Sequence, residues 1–256
     1  MDRLVIADAH LGQAPGDTEA MLHLLGAAAD SGVGELIFLG DVCRYLIGYP
    51  KFWTRSVEAI VDAWRSLRRR GVRVVLIEGN RDFFLDAPPL AREVDFAGRR
   101  FDATAGARRF RFEHGDLVNR RDLQYRFWST VSKSGPARLW ARLLPRRMAV
   151  AIVRGMEARL AETNRRFRYV KPVADLDRTA RSAWSSGVDV LMWGHFHTPW
   201  WTVWDRRLAM VVPAWLEYRV AVRIDAGGAM TWVDAGLTAL GTVSTMNPCP
   251  LTNLDA

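Results

Sequence analysis

The sequence predicts an α/β fold, and three observations support that expectation. Apolar, β-branched runs with the length of strands alternate along the chain with amphipathic stretches that have the spacing of helices. Short motifs rich in Asp, Asn, His and Gly follow directly after the apolar runs. Hydrophobic residues make up 49% of the 256 residues, as is usual for a globular protein. We therefore expect one large domain, or a domain with an insertion.

Each predicted element follows from a local pattern. Apolar residues at helical spacing from Val57 to Leu67 predict a helix over 54–70, which Gly71 ends. A hairpin is predicted over 99–112, with its turn near Ala105-Gly106. The other predicted helices are 17–31 and 173–186. The predicted strands are 4–7, 35–39, 72–78, 110–113, 188–193, 201–204, 207–212, 219–224 and 229–233.

Cysteine usage and hydropathy indicate the compartment. The chain has two cysteines, Cys43 and Cys249, which are far apart and lack the spacing of a thiolate metal site. This usage argues against a disulfide framework and fits a reducing compartment. No signal-peptide pattern is visible, and no apolar run approaches the ~18–20 residues of a membrane span. We therefore expect a cytoplasmic protein.

The positive charge is concentrated in one segment. The chain carries a net charge of +8, but residues 117–171 contain 14 Lys and Arg against three acidic residues. The remainder is nearly neutral, with 22 basic and 25 acidic residues. The segment lies between two polar motifs and is interrupted by Gly135-Pro136 and Pro145, so we expect a helical insertion. Its charge calls for an anionic partner.

Five polar motifs carry the side chains that bind divalent metals. Each follows an apolar run, so strand ends would deliver these side chains to one edge of a sheet. Imidazole and carboxylate ligands together suit divalent transition metals. The motifs are Asp8-Ala9-His10, Gly40-Asp41, Gly79-Asn80-Arg81-Asp82, His114-Gly115-Asp116 and Gly194-His195-Phe196-His197.

These ligands divide into two predicted metal sites. Two metals about 3.5–4 Å apart can clamp the attacking and leaving oxygens of a phosphoryl displacement, and a water of lowered pKa is then the nucleophile. Asp41 is the predicted bridging carboxylate. The predicted partners are Asp8, His10 and His197 in one site, and Asn80, His114 and His195 in the other.

The order of these motifs resembles that of the calcineurin-like metallophosphoesterases. The match runs from Asp8 to His197, about three quarters of the chain. The resemblance implies two sheets sandwiched between helices. Many members have His after the Asn of the third motif, where this chain has Arg81.

The Gly-Asn-Arg-Asp-Phe string at 79–83 carries a narrower resemblance. This string, and the insertion after His-Gly-Asp, are similar to the UDP-2,3-diacylglucosamine pyrophosphohydrolases of lipid A synthesis. The resemblance implies two Mn²⁺ ions and attack of water on the α-phosphorus. The expected products are UMP and 2,3-diacylglucosamine 1-phosphate. The insertion over 117–171 would form a lid over the acyl chains.

The same resemblance implies residue roles. The implied catalytic residues are Asp41, Arg81 and His195, with the planar fork of Arg81 holding a phosphate. The lid departs from the family where Ser and Lys are usual, and nearby arginines are the candidates for the cationic role. The implied substrate contacts are Asn80, Arg81, Asp122, Tyr125, Asn164, Arg165, Arg166 and Arg168.

Organisation and partners follow from these roles. We expect a metallophosphoesterase core over 1–116 and 172–240, a basic amphipathic lid over 117–171, and a disordered tail over 241–256. The expected partners are a nucleotide-linked glycolipid and an acidic membrane surface, since apolar stripes suit acyl tails and arginines suit acidic head groups. The protein is expected to be a monomer that associates peripherally with the inner membrane.

Two other functions stay open. A departure from the family at Gly40–Gly48 favours a metallophosphoesterase that acts on another nucleotide diphosphate or phosphodiester. The basic segment and its aromatic residues would suit a nucleic-acid-binding nuclease. Interleaving of the basic residues with aliphatic ones, instead of exposed aromatics, argues against nucleic acid. A simpler interpretation is a lid whose apolar stripe packs on the core while its arginines face water.

Overall fold

The computed structural model describes residues 1–163 and 171–243. The strands are β1 (Asp2–Ile6), β2 (Val33–Phe38), β3 (Leu46–Ile47), β4 (Arg73–Ile77), β5 (Asp82–Phe83), β6 (Phe96–Gly98), β7 (Arg100–Ala105), β8 (Arg108–Glu113), β9 (Val190–Trp193), β10 (Trp200–Trp204), β11 (Arg207–Val211), β12 (Ala221–Ile224), β13 (Met230–Val233) and β14 (Ala239–Thr242). The helices are α1 (Asp17–Asp30), α2 (Arg55–Arg69), α3 (Pro88–Ala91), α4 (Leu123–Ser132), α5 (Gly135–Leu143), α6 (Arg146–Thr163), α7 (Val173–Ser185) and α8 (Trp215–Tyr218), with a 3₁₀ turn at Pro50–Phe52.

The strands form two main sheets. The first has seven strands in the order β14-β13-β12-β1-β2-β4-β6, and the second has five in the order β10-β11-β9-β8-β7. Strands β3 and β5 form a separate two-stranded ladder. Within the first sheet β1, β2 and β4 run parallel, and within the second β8 and β9 run parallel. The carboxyl ends of each parallel set therefore lie at one edge of their sheet.

Alternating side chains place the two sheets face to face. Val5 and Ile37 belong to the apolar cluster that the first sheet shares with Phe110 and Val190 of the second. Their neighbours in sequence point the other way, toward α1 and α2, as the period of two in a strand requires. Helix α7 packs on the outer face of the second sheet, beside Trp193. The predicted sandwich of two sheets between helices is confirmed.

Helix α2 shows how the outer layer is held. Its five buried side chains recur at helical spacing, and each contributes about 1.5–3 kcal/mol by leaving water. The Thr54 side chain accepts a hydrogen bond from the Val57 amide and caps the first turn. The predicted helix is confirmed, one residue shorter at either end because Thr54 and Arg70 are its caps. The buried residues are Val57, Ile60, Val61, Trp64 and Leu67.

The basic insertion is helical, and its packing differs from the simplest expectation. Helices α4, α5 and the described part of α6 follow the His-Gly-Asp motif. Only part of the apolar stripe packs on the core: Leu144 and Val153 are buried against Tyr45 and Phe83. The interpretation in which the apolar stripe packs on the core thus holds for Leu144 and Val153 and not for Leu139, Leu143, Met148 and Val150. The exposed apolar residues are Leu123, Phe127, Trp128, Val131, Leu139, Trp140, Leu143, Met148 and Val150.

Some elements were not predicted. Strand β12 begins at Ala221, not at residue 219, because α8 precedes it and Arg219 adopts a left-handed conformation with φ 54° at the end of that helix. Strand β14 includes the first two residues of the predicted disordered tail, and residues 244–256 lie outside the described part of the chain. Among the described helices, none is both long and apolar enough to cross a membrane.

Candidate metal centre

The five polar motifs meet where the parallel strands end. Asp8 and His10 follow β1, Asp41 follows β2, and Asn80 follows β4. The remaining ligands come from the second sheet, with His114 after β8 and with His195 and His197 after β9. Backbone hydrogen bonds join neighbouring motifs: the amide of His10 donates to the carbonyl of Asp41 at 2.9 Å, and that of Gly194 to the carbonyl of His114 at 3.0 Å.

The backbone is left-handed at most of the predicted ligands. Positive φ is uncommon for a residue other than glycine and costs free energy, so it persists only where the surroundings impose it. A left-handed residue turns the chain sharply after a strand. The residues and their φ angles are Asp8 at 47°, His10 at 46°, Asp41 at 51°, His195 at 67° and His197 at 56°.

Two glycines allow the carboxylates to approach the backbone. A Cβ atom at Gly194 would lie 2.6 Å from Oδ2 of Asp8, and one at Gly79 would clash with Oδ1 of Asp41. Asp8 uses the space beside Gly194 to accept a hydrogen bond from the His195 amide at 2.7 Å. Asp41 accepts one from the Arg81 amide at 2.8 Å. The glycines of these motifs are therefore steric requirements of the site.

The first group of metal ligands is Asp8, His10 and His197, all buried, whose ligand atoms lie within 4.8 Å of one another. The Nε2 atoms of the two histidines are 3.3 Å apart, and their rings stack. Metal–ligand distances of ~2.0–2.2 Å place two ligands of one metal about 3 Å apart, which agrees with this spacing. The predicted first site is thus brought together.

The second group combines His114 with the carboxylates of Asp8 and Asp41. Asn80 belongs here, because its Oδ1 lies 3.1 Å from Nε2 of His114 and 3.0 Å from Nδ1 of His195. The carbonyl of Leu39 accepts from Nδ1 of His114 at 2.6 Å, which leaves the Nε2 atom to face the centre. The three side chains of the predicted second site therefore lie together.

Two carboxylates lie between the groups. Asp8 belongs to both, although the sequence predicted Asp41 as the bridge. The two oxygens of Asp41 also reach in two directions, since Oδ2 lies 4.0 Å from Nδ1 of His10 and Oδ1 lies 3.9 Å from Nε2 of His114. Both acids can therefore serve two metals, and the bridging role of Asp41 stays a prediction.

The donor set fits divalent cations. Oδ1 of Asp8 is buried and accepts no hydrogen bond from the residues that the structure describes. A buried carboxylate oxygen without a donor costs free energy unless a cation satisfies it. The centre as a whole offers histidine nitrogens, carboxylate oxygens and one amide oxygen, a mixture that suits a divalent transition metal.

Charge and burial shift the pKa values within the centre. Burial alone would lower the pKa of His114, but the carboxylates of Asp41, Asp8 and Asp116 raise it to about 9. Burial lowers the pKa of His195 to about 4, and the neighbouring His114 acts in the same direction. Burial raises the pKa of Asp8 against the opposing effect of the nearby histidines. A divalent metal would replace the proton that His114 holds in the metal-free protein.

Asp82 holds the backbone of two ligand motifs in place, a role that the sequence analysis did not predict. Its Oδ2 accepts from the amides of Gly79 and Asp41, at 2.8 and 2.9 Å, and so ties the third motif to the second. Burial raises the pKa of Asp82 to about 7, and the charge of Asp41 adds to the rise. The Asp of the Gly-Asn-Arg-Asp string was the available signal, because a carboxylate that closes a tight loop commonly accepts amide hydrogens of that loop.

Glu217 is a second supporting residue that the sequence did not predict. It lies in α8, and its Oε1 is 3.1 Å from Nδ1 of His197, which leaves Nε2 of that histidine toward Asp8. The start of α8 is fixed to the site, because the Ala214 amide donates to the carbonyl of His197 and the Trp215 amide to that of Ala7. No sequence motif indicates the contact between Glu217 and His197, because this contact depends on the tertiary fold.

Arg81 is buried beside the predicted bridge. Its Nε lies 3.5 Å from Oδ2 of Asp41, and 5% of its surface is exposed. The structure thus places Arg81 against a candidate metal ligand, where its guanidinium can also face a bound phosphate. The phosphate-holding role of Arg81 stays a prediction.

The predicted substrate contacts of the lid are found in structural roles or lie outside the description. The Asp122 side chain caps α4 by accepting from the Tyr125 amide at 2.8 Å. The Tyr125 hydroxyl donates to the Asp116 carboxylate, which raises the pKa of Tyr125 in addition to the larger effect of burial. These contacts anchor α4 beside the centre. The predicted contacts that lie outside the described residues are Asn164, Arg165, Arg166 and Arg168.

Two solved structures are similar in fold at low sequence identity. An archaeal phosphodiesterase is 11% identical, with 91% of this chain and 99% of that chain covered and a TM-score of 0.49. A dimetal phosphatase from Danio rerio is 12% identical, with 91% and 95% covered and a TM-score of 0.47.

Sequence relatives give a closer match. A protein of Stenotrophomonas maltophilia named UDP-2,3-diacylglucosamine hydrolase is 30% identical over 89% of this chain and 96% of its own length. A protein of Aeromonas salmonicida with the same name is 31% identical over 78% of each chain. The family model for calcineurin-like phosphoesterases matches residues 1–199, which contain all five motifs. With its two groups of candidate ligands, the chain belongs to the calcineurin-like phosphoesterases and is a metal-dependent hydrolase.

Proposed function

We propose that the chain hydrolyses UDP-2,3-diacylglucosamine to UMP and 2,3-diacylglucosamine 1-phosphate by attack of water on the α-phosphorus. The observation that carries this proposal is the combination of a two-group metal centre with an adjoining lid that is both basic and apolar. A nucleotide-linked glycolipid joins a diphosphate to acyl chains and so needs both surfaces. The names of relatives about 30% identical to the chain support the same substrate.

Two Mn²⁺ ions are the proposed cofactors. Asp8, His10 and His197 would hold one ion, and Asn80, His114 and His195 the other, with Asp41 between them. When bound, the metals supply positive charge for the diphosphate and lower the pKa of a water molecule. The neutral oxygen of Asn80 limits the negative charge in a site that must admit an anion.

The chain's own residues position the reacting groups. Arg81 would hold a phosphate oxygen with its guanidinium, and burial beside Asp41 fixes the orientation of that group. His195 has its pKa lowered to about 4, so at neutral pH it is an uncharged ring that can bind metal or accept a proton. His195 is half-buried, which leaves it within reach of a substrate.

The lid is proposed to contact acyl chains and an acidic membrane surface. On α5, the side chains of Trp140 and Leu143 are exposed by 57% and 71%. Exposed apolar groups beside arginines are typical of segments that lie at a membrane interface. We propose peripheral association with the inner membrane through this surface, by a monomer with Asn164, Arg165, Arg166 and Arg168 among its substrate contacts.

A metallophosphoesterase for a soluble nucleotide diphosphate is the second candidate. The large basic cleft beside His114 favours it, since this cleft would accept a nucleotide without any lipid. A nuclease is the third candidate, and one argument against it is wrong: Phe127, Trp128 and Trp140 of the basic insertion are exposed and could stack on bases. Binding of DNA or RNA that falls steeply with salt would favour that function.

The deciding experiment is hydrolysis of UDP-2,3-diacylglucosamine in detergent with added Mn²⁺, followed by release of UMP. We expect rapid turnover by the protein and none by Asp41→Ala. UDP-glucose and bis(p-nitrophenyl) phosphate serve as substrates without acyl chains. Turnover of these two without turnover of the glycolipid would contradict the proposal and favour the second candidate.

A further inference from the structure

A basic cleft of about 870 Å³ opens beside the metal centre. One end is formed by His114 and Asp116, and the sides by the start of β7 and by helix α4. Cationic side chains dominate its charged lining. They are Arg99, Arg100, Arg120, Arg126 and Lys133.

The three acidic residues of the basic cleft neutralise only part of this charge. Glu78 is paired with Lys133 at 2.5 Å, and Glu113 lies opposite Arg100 in the β7–β8 ladder. The third, Asp116, accepts the hydroxyl hydrogen of Tyr125. Among the side chains that the structure describes, none forms an ion pair with the other lining arginines, and Arg126 donates one hydrogen bond to the Leu117 carbonyl at 3.3 Å. Arg99, Arg120 and Arg126 are therefore available to an anion.

An aromatic ring lies beyond the basic cleft. A second cleft of about 270 Å³ shares Arg99, Leu117 and Arg126 with the first and adds Phe127 to the lining. The side chain of Phe127 is 72% exposed. A flat apolar ring next to guanidinium groups offers a stacking surface for a nucleobase. The two clefts thus run from the metal centre, past the arginines, to an aromatic surface.

The helix that walls the basic cleft is fixed to the core. At its start, the Tyr125 hydroxyl bonds to Asp116. After its last turn, Nζ of Lys133 donates to the carbonyl of Gly79 at 2.7 Å and lies 5.6 Å from the centre of the Phe83 ring. Anchors at both ends of α4 hold the cleft open without a ligand, which lowers the free-energy cost of binding.

The other flank of the metal centre has a different character. On this side a smaller cleft of about 160 Å³ has a mixed lining, with the apolar residues Leu11, Tyr45 and Val153 beside Arg44, Thr54, Arg55 and Ser56. There the lid packs on the core through an apolar cluster that includes Phe84 and Leu144. The apolar cluster of this flank suits acyl chains, whereas a charged and polar group suits the flank beside His114.

We propose that the basic cleft binds the nucleotide half of the substrate, with its phosphate among Arg99, Arg120 and Arg126 and its base against Phe127. This inference rests on the proposed function for the identity of the substrate. After hydrolysis the phosphate of the nucleotide is a dianion, which guanidinium groups bind in a bidentate manner. The cleft therefore also binds the nucleoside monophosphate product.

The test is calorimetric binding of UMP and of ribose 5-phosphate to the full-length, Mn²⁺-loaded protein. Arg99→Ala should weaken binding of both ligands about tenfold, since both carry the phosphate. Phe127→Ala should weaken binding of UMP about tenfold and leave ribose 5-phosphate unchanged, because only UMP has a base to stack. Arg69→Ala, which removes an exposed arginine from α2, is the matched control and should change neither.

Two outcomes would overturn the inference. Unchanged UMP affinity in Arg99→Ala would exclude the basic cleft, and equal losses of both ligands in Phe127→Ala would exclude base stacking. Kinetics with the glycolipid separate this inference from the proposed function. If the glycolipid is hydrolysed and Arg99→Ala keeps its KM, the cleft is wrong and the function stands. If the glycolipid is not hydrolysed but UMP binding depends on Arg99, the cleft stands and the function is wrong.

Discussion

The metal centre and the basic insertion are built in opposite ways. Five of the seven candidate ligands are buried and five are left-handed, and backbone hydrogen bonds join their motifs. The insertion exposes large apolar side chains and docks through a few contacts, such as those of Tyr125 and Lys133. The difference separates two tasks: the centre fixes the chemistry in a rigid frame, and the insertion offers an exposed surface that selects what reaches it.

The largest effect is expected from Asp41→Ala, which removes a carboxylate from the metal centre. Asp41 contacts both groups of ligands and the Arg81 amide, so its loss should lower the bound Mn²⁺ by at least half and reduce activity by more than about 10³-fold. Elemental analysis after dialysis measures the metal. Asp62→Ala on the surface of α2 is the control. Full metal content in Asp41→Ala would show that Asp8 alone is the shared ligand.

A change of pH should alter metal affinity by up to about tenfold per pH unit. The pKa of His114 is raised to about 9 in the metal-free protein, so below that pH a proton must leave before metal binds. Affinity for Mn²⁺ should therefore rise from pH 7 to pH 8. The stability of the metal-free fold changes with pH in the opposite direction. Charged His114 stabilises that fold fully below about pH 6.5, and this stabilisation is lost as pH rises through about 9.

Calorimetric titration with Mn²⁺ in buffers of different ionisation enthalpy measures both the affinity and the protons released. About one proton should be released per His114 at pH 7. An affinity that does not change between pH 7 and pH 8, with no proton release, would mean that His114 is already neutral. His114→Ala provides the comparison, because its remaining affinity should lack this part of the pH dependence.

Much of the metal centre and of the fold around it could be predicted from the sequence, because both depend on local patterns. Apolar runs followed by Asp, Asn and His identified the strand ends, and the hairpin of β7 and β8 turns where Gly106 allows a positive φ of 56°. The contact of Asp82 with Asp41 and that of Glu217 with His197 could not be predicted, since they join segments that are distant in sequence. Exposure of Trp140 likewise depends on which face of α5 meets the core, which helical spacing alone does not reveal.

Glu217→Gln should have a smaller effect on the centre than the loss of a ligand. The carboxylate fixes the orientation of His197, and loss of such a contact typically lowers metal affinity about 10–100-fold. We expect about tenfold weaker binding of one Mn²⁺ with little change in thermal stability of the metal-free protein. Glu19→Gln on α1, away from the centre, is the matched control. Unchanged metal affinity would show that α8 holds His197 through its backbone alone.

The smallest effect is expected from the exposed face of the insertion, and it should depend on the substrate. Trp140→Ala combined with Leu143→Ala removes two exposed side chains from α5 and should leave the fold and the metal content unchanged. Activity on UDP-2,3-diacylglucosamine in vesicles of acidic phospholipid should fall about three- to tenfold, because less apolar surface enters the interface. Hydrolysis of bis(p-nitrophenyl) phosphate should not change, since this small ester needs only the metal centre.

Leu240→Ala, which changes an exposed apolar residue of β14, is the control and should behave like the unmodified protein in both assays. Equal losses on both substrates would mean that α5 supports the metal centre, and the separation between chemistry in the buried centre and selection by the exposed insertion would then be wrong.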